Sequence, residues 1–332
     1  MNRRIQVRKI LLSLLSCLVI LTAAGCSQQA DSAAPKKHIK IGIMLSDAGL
    51  GDQSFSDAGF EGLEKARDEL GISFDYREIK DTKTYETGIE ELVKEGNDLV
   101  IGLGFSMQEA IDKVAKKYPD ENFLVIDTVS KLPNVSSVTF KEEEGSYLIG
   151  LIAGMETKSG VVGFVGGMDV PLIHKFENGF KEGVTAVNPK AKILSTYAGS
   201  FDDDVLGKKI AGDMIKKKAD YLYPAAGFTG IGVLKQAQEA GVYSFGVDSD
   251  QFFLAEKSVV SSMMKRVDVA IYNVAEELVK NGKLSQKDRV LGVKEHGVDI
   301  APIRVISLTP QEQTSLDEFK NKIENGTITV QP

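Results

Sequence analysis

The sequence predicts an α/β protein: two doubly wound lobes around a hinged cleft. Three observations lead there. Short apolar runs alternate with amphipathic stretches along the chain after residue 38, the pattern of βαβ units with parallel sheets and right-handed crossovers. The runs fall into two successive series. The length, 332 residues with 42% hydrophobic side chains, supports a large core that divides more naturally into two lobes than one.

The first strand, 39–45 (IKIGIML), is almost continuously apolar, as a parallel strand covered on both faces should be. Strands at 73–79, 99–103, 123–127 and 135–140 complete the first series. The second series runs through 161–165, 192–198, 221–223, 243–247 and 259–263. Between them, stretches such as 107–118 (MQEAIDKVAKKY) and 142–156 read as amphipathic helices. The chain is expected to change lobes near 141–160, again near 247–260, and a third time near 291–298. That gives an N-terminal lobe of 38–150 plus about 249–290, and a C-terminal lobe of about 151–248 plus about 291–332. Lobes joined by several crossings form a hinged cleft, where pockets concentrate.

Residues 1–25 stand outside this pattern. Arg3, Arg4, Arg8 and Lys9 precede an apolar run over 10–24, the layout of a signal peptide whose core is too short for a permanent membrane span. Its end, LTAAGCSQQ, resembles a bacterial lipobox, so Cys26 is the expected lipidation site. The only other cysteine, Cys17, lies inside the signal. The mature chain therefore has no disulfide framework, no cysteine metal site and no catalytic cysteine. Residues 26–37 then form a lipidated cysteine and a small, polar tether (SQQADSAAPKK). The protein is expected at the extracytoplasmic face of the cell membrane, held by that lipid. The formal charge of −7 becomes more negative once the basic leader is removed, which argues against nucleic acid or anionic lipid as a partner.

The informative loops follow strands, where open α/β sheets bind ligands. After the first strand comes DAGLGDQSFSDAGF, carrying Asp47, Asp52, Ser54, Phe55 and Ser56. Its glycines permit tight backbone angles, and Ser54 or Ser56 is suited to cap the helix that follows. Later exits supply Gly104-Phe105-Ser106, Asp127, Gly166 to Asp169, Phe201, Gly227-Phe228, Asp248 and Lys265. Aromatics on both lobes could sandwich a flat ring, and carboxylates could accept from hydroxyls or ring N–H groups. A sugar joined to a planar base suits both sets of groups, although a phenylalanine at a strand end is more often core.

Catalysis finds less support. The three histidines, His38, His174 and His296, form no metal-spaced pair, and no G-x-S-x-G elbow occurs. GFTGIG lacks the Lys-Ser/Thr of a phosphate-binding loop. A nucleoside-cleaving hydrolase would need its aspartates gathered in one loop, and here they are spread over both series. No enzyme activity, cofactor or metal is expected.

A chain of ordered blocks is more specific than any one of them. DAGLGDQSFSDAGFEG, VAKKYPDENFLVID, NVSSVTFKEEEGSYLIGLIAG, GVVGFVGGMDVPLIHKFENGFKEGV, YAGSFDDDVLGKKIA, AAGFTGIGV, GVDSDQ and SSMMK together resemble the basic membrane protein family of lipoproteins, the purine nucleoside receptor type of substrate-binding protein. That resemblance implies a type I periplasmic-binding-protein fold, closing on a nucleoside and delivering it to the permease and ATPase of an ABC importer. It implies Phe55 and Phe201 as the base sandwich, Asp248 and Lys265 on ribose hydroxyls, and Asp47 or Asp127 on ring edges, with Gly227 nearby. The sequence departs from the family pattern at Ser56, where asparagine is usual, and at Phe228, where glycine is usual. Both departures leave the base undefined. A monomer is the default for lobes that must close. The alternative is a surface lipoprotein of the same fold that senses its ligand through a membrane signalling partner.

Overall fold

The computed structural model describes residues 38–332; the expectations for the leader, Cys26 and the tether lie outside them. Two six-stranded sheets organise these residues. In the first, β1 (Lys40–Met44), β2 (Ser73–Arg77), β3 (Leu99–Leu103), β4 (Phe123–Ile126), β5 (Val135–Phe140) and β11 (Asp288–Leu291) lie in the order β11-β5-β4-β3-β1-β2. All its pairings are parallel. In the second, β6 (Val161–Gly166), β7 (Lys192–Tyr197), β8 (Tyr221–Ala225), β9 (Tyr243–Asp248), β10 (Val259–Lys265) and β12 (Val298–Ile300) lie in the order β12-β10-β9-β8-β6-β7. Only the short β12 runs antiparallel to its neighbour.

Both orders reverse direction once, at β1 in the first sheet and at β6 in the second. Such a switch point leaves a crevice at the carboxyl ends of the flanking strands. The loops after β1, β3, β6 and β8 are therefore the ones that fold topology offers to a ligand.

Helices cover the faces in the expected alternation: α1 (Phe55–Leu70), α2 (Ile79–Thr82), α3 (Tyr85–Lys94), α4 (Gln108–Lys117), α5 (Glu142–Glu156), α6 (Pro171–Val187), α7 (Asp204–Lys216), α8 (Phe228–Ala240), α9 (Val267–Asn281) and α10 (Pro310–Glu324). None of the described helices is long and apolar enough to cross a membrane. The α5 helix is buried along almost its whole length, and glycines let it pack backbone to backbone against α6. A β-carbon at Gly150 would lie 2.3 Å from the Phe180 carbonyl oxygen, and one at Gly183 would lie 2.1 Å from that of Tyr147.

The sequence expectation needs one correction. A return to the first lobe near 247–260 would place β10 with the first sheet, yet β10 pairs with β9. The crossing comes only after Lys265, where α9 packs on α1 so closely that a β-carbon at Gly62 would meet the Asp268 carbonyl at 2.5 Å. The apolar core of VVSSMM is enclosed on both sides, which is what a central strand requires and what periodicity alone could not assign to one sheet. The edge strands β11 and β12 were not anticipated. They are four and three residues long, too short to show a period.

Candidate functional site

The loop after β1 is built by carboxylates that face inward. Asp52 accepts hydrogen bonds from the backbone N–H groups of Ser54 (3.0 Å), Ser56 (2.8 Å) and Asp57 (3.1 Å), so it satisfies the open start of α1. The expected serine cap is absent: Ser54 stands at the cap position without a side-chain bond to the helix. Burial pushes the Asp52 carboxyl up to about 6, although the three N–H groups pull the other way. Asp57 accepts from the N–H groups of Gly51 and Gln53, and Glu78 from that of Leu50. The loop is thereby held in one conformation, with Phe55 at its end.

Phe55 lines a partly enclosed cavity at the carboxyl ends of the two sheets, the place where α/β folds hold small molecules. Loops of the first sheet contribute Ser46, Asp47, Phe105 and Asp127; the second contributes Phe201, Gly227, Asp248 and Lys265. Leu172, Ile173 and Phe176, from the first turns of α6, add an apolar wall. Gly167 is required at its place, because a β-carbon there would lie 2.3 Å from the Phe201 ring. Asp47 also accepts a hydrogen bond from the Tyr85 hydroxyl, and burial raises its carboxyl above the ordinary range.

At the back of the cavity lies a cluster of buried charges. Lys265, only 2% exposed, places its ammonium 2.6 Å from Asp127 and 3.0 Å from Glu142. The rings of Phe55, Phe140 and Phe176 surround that ammonium at 4.9, 5.1 and 5.6 Å to their centroids, within cation–π range. Lys175 reaches the other Glu142 oxygen at 3.1 Å and the Phe140 carbonyl at 2.9 Å. Asp248 completes the set and accepts from the Ser54 hydroxyl. Burial opposes the charge on Lys265, but Asp127, Glu142 and Asp248 outweigh it and hold the ammonium protonated well above its usual range. Burial raises the carboxyls of Asp127 and Asp248, against the pull of Lys265. One Asp127 oxygen, Oδ1, is buried and has no hydrogen-bond partner among the described residues. Such an acceptor facing a cavity is a place for a ligand donor.

Two of these carboxylates sit on strained backbone. Asp127 has φ of +71° and Asp248 of +65°, the left-handed region where aspartate is tolerated better than most side chains. Each follows or ends a strand at its carboxyl end. The turn out of the strand aims the side chain back into the crevice, and strain of this kind concentrates at functional sites.

Of the residues singled out in the sequence, Asp47, Phe55, Asp127, Phe201, Gly227, Asp248 and Lys265 meet at this cavity. Ser54, Ser56 and Phe228 do not line it. Ser54 is buried against Asp248, and the Ser56 hydroxyl is 2.6 Å from that of Ser46. Phe228 opens α8 and turns off the cavity, leaving Gly227 as the wall. The α6 residues were missed, as were Glu142 and Lys175. Leu172, Ile173 and Phe176 read as core on a helix, and only the topology shows that this helix start faces the crevice. The run Glu142-Glu143-Glu144 resembles a solvated helix start, yet all three are buried; a triple acid heading an otherwise apolar helix was the available signal. Among the described residues, no cluster of side chains suited to a metal ion occurs.

Comparison with known proteins gives a consistent result. A family model described as "ABC transporter substrate-binding protein PnrA-like" (Bmp) matches residues 39–332. The chain is 32% identical to the CD4+ T-cell-stimulating antigen of Listeria innocua, covering 94% of each chain. It is also 32% identical to the ABC transporter nucleoside-binding protein BmpA of Lactococcus lactis, over 97% of this chain and 98% of that one. Among solved structures, a solute-binding protein of an ABC transporter system from Aeropyrum pernix superposes with a TM-score of 0.79 at 28% identity, covering 88% of this chain and 92% of that chain.

Proposed function

Because this chain belongs to the Bmp family of PnrA-like ABC-transporter substrate-binding proteins, we propose that its cavity captures a nucleoside and presents it to the importer. The family binds solutes and works with an ABC transporter; its members are substrate-binding proteins rather than enzymes. The ligand is thus a small molecule and the partners are transporter subunits. The fold agrees with the type I arrangement of solute-binding proteins.

One observation carries the finer reading: Phe55 of the first lobe and Phe201 of the second line the same cavity, beside the buried carboxylates of Asp127 and Asp248. Two aromatic rings suit the faces of a base, and stacking contributes roughly 1–3 kcal/mol per base. The carboxylates suit hydroxyl and ring N–H donors, and Asp127 Oδ1 is a buried acceptor with no donor among the described residues. The same roles apply to Asp47, which shares the first-lobe wall. Lys265 is already occupied by two carboxylates, so it orders Asp127 and Glu142 before it serves a ligand. In this reading the protein acts as a monomer at the extracytoplasmic face, anchored by lipid on Cys26.

The test is thermal shift of the detergent-solubilised full-length protein with guanosine, inosine, adenosine, the free bases and ribose. Stabilisation by a ligand of the native state is about 2.7 kcal/mol at a hundredfold excess over Kd. A shift with nucleosides and none with ribose supports the reading; a shift with ribose alone overturns it.

A further inference from the structure

Beside the cavity, and outside its lining, one side chain runs from the second lobe to the first. Gln251, in the loop after β9, is 2% exposed. Its Nε2 donates to the Gln53 carbonyl oxygen at 2.9 Å, and Gln53 belongs to the loop after β1, in the other lobe. Every other polar group of Gln251 is committed to its own lobe. Its Oε1 accepts from the Val247 N–H at 3.0 Å, and its own N–H donates to the Ser262 hydroxyl at 3.0 Å. A β-carbon at Gly246 would lie 2.8 Å from the Gln251 β-carbon, so a glycine makes room for this seat. The receiving carbonyl is equally fixed. Gln53 has φ of +51°, and Asp57 holds its N–H at 2.9 Å. One residue along, the Ser54 hydroxyl donates across the same gap to Asp248.

We propose that Gln251 is a positioning residue that latches the cleft shut, setting the open–closed equilibrium and through it the affinity for every ligand alike. Both ends are immobilised before they meet, so little conformational entropy is lost when the lobes close. A bond made only in the closed form raises the closed fraction, and apparent affinity scales with the fraction that is competent. Gln251 itself does not line the cavity and reaches it only through the backbone of Val247, so it does not choose between bases. The effect on ligand rests on the nucleoside reading above; the effect on the free protein does not.

The experiment uses Gln251→Glu and Ser54→Ala in the full-length protein. Gln251→Glu keeps the acceptor for Val247 and removes the donor to Gln53. Hydrogen exchange of the ligand-free protein is expected to rise about 2- to 10-fold in segments 47–57 and 247–254, and not in β4 or β8, as loss of one hydrogen bond from a local opening predicts. Affinities for guanosine, inosine and adenosine are expected to fall by the same factor, within that range. Unchanged loop exchange overturns the latch. So does a rise that extends equally into the strands, which marks a general loss of stability, or a changed ranking of the three nucleosides, which marks direct contact. If none of the three binds the unaltered protein, the nucleoside reading falls, and the exchange comparison still decides the latch.

Discussion

The ammonium of Lys265, at the end of a second-sheet strand, lies 2.6 Å from the carboxylate of Asp127, just past the end of a first-sheet strand. The pair spans the two lobes, and it is unequal. Removing Lys265 leaves Asp127, Glu142 and Asp248 buried around one missing cation, whereas removing the Asp127 charge leaves Lys265 still held by Glu142. Lys265→Met is expected to cost about 3–5 kcal/mol, and Asp127→Asn about 1–3 kcal/mol. Urea unfolding of both variants checks the order; equal or reversed losses would remove Lys265 from the centre of the network.

Phe55 and Phe201 should each matter to a flat ligand. Phe55→Ala and Phe201→Ala are expected to weaken nucleoside binding by about 1–3 kcal/mol each, measured by calorimetry. Gly167→Ala should act in the same direction, because its β-carbon would meet the Phe201 ring at 2.3 Å and push the ring from its place. Undiminished affinity in both phenylalanine variants would end the sandwich.

Phosphorylated ligands should be refused. Three carboxylates share the pocket's rear with Lys265 and Lys175, both already engaged. A dianionic phosphate brought there meets like charge at a cost of several kcal/mol. Guanosine 5′-monophosphate is expected to bind at least about 100-fold more weakly than guanosine. Comparable affinities would show that the charge cluster lies beyond the ligand's reach.

Glu143 gives a pH signature. It is 7% exposed at the start of α5, and its Oε2 has no partner among the described residues. Burial pushes its carboxyl up to about 7 from 4.5, with its own backbone N–H and Lys175 opposing. Between those values the native state keeps a proton that the unfolded chain has lost, so this group's contribution to stability falls as pH rises through that window. Glu143→Gln should therefore melt with the unaltered protein near pH 4 and above it at pH 8. Melting curves that stay parallel across the range would refute the assignment.

Lipid attachment at Cys26 has its own test. In a bacterial host the full chain is expected in the detergent phase after Triton partitioning, and Cys26→Ser in the aqueous phase. A Cys26→Ser protein that stays in the detergent phase rules out the anchor.

Much of the fold was legible because strands such as β3 and β4 are apolar throughout and helices such as α4 bury one face at helical spacing. Residues 99–103 and 135–140 were located to the residue. The lobe assignment of β10 was not legible, since a strand's sheet is chosen by distant partners. Within the site, residues at strand exits could be found because the topology rule points to them. Phe176 and Glu142 could not, because a helix start reads alike whether it faces solvent, core or crevice. Ser56 and Phe228 lie next to the site in sequence but outside its lining: the Ser56 hydroxyl pairs with Ser46, and Phe228 is the first residue of α8.

The left-handed backbone at Asp127 and Asp248 also divides the pocket for anyone wishing to redesign it. At those two positions the main chain itself restricts the choice, and a random library should return chiefly aspartate, asparagine and glycine, whatever ligand is used for selection. Leu172, Ile173 and Phe176 carry no such tariff, since they stand on regular helix. New specificities should therefore accumulate on that wall, with the two aspartates carried unchanged from one variant to the next.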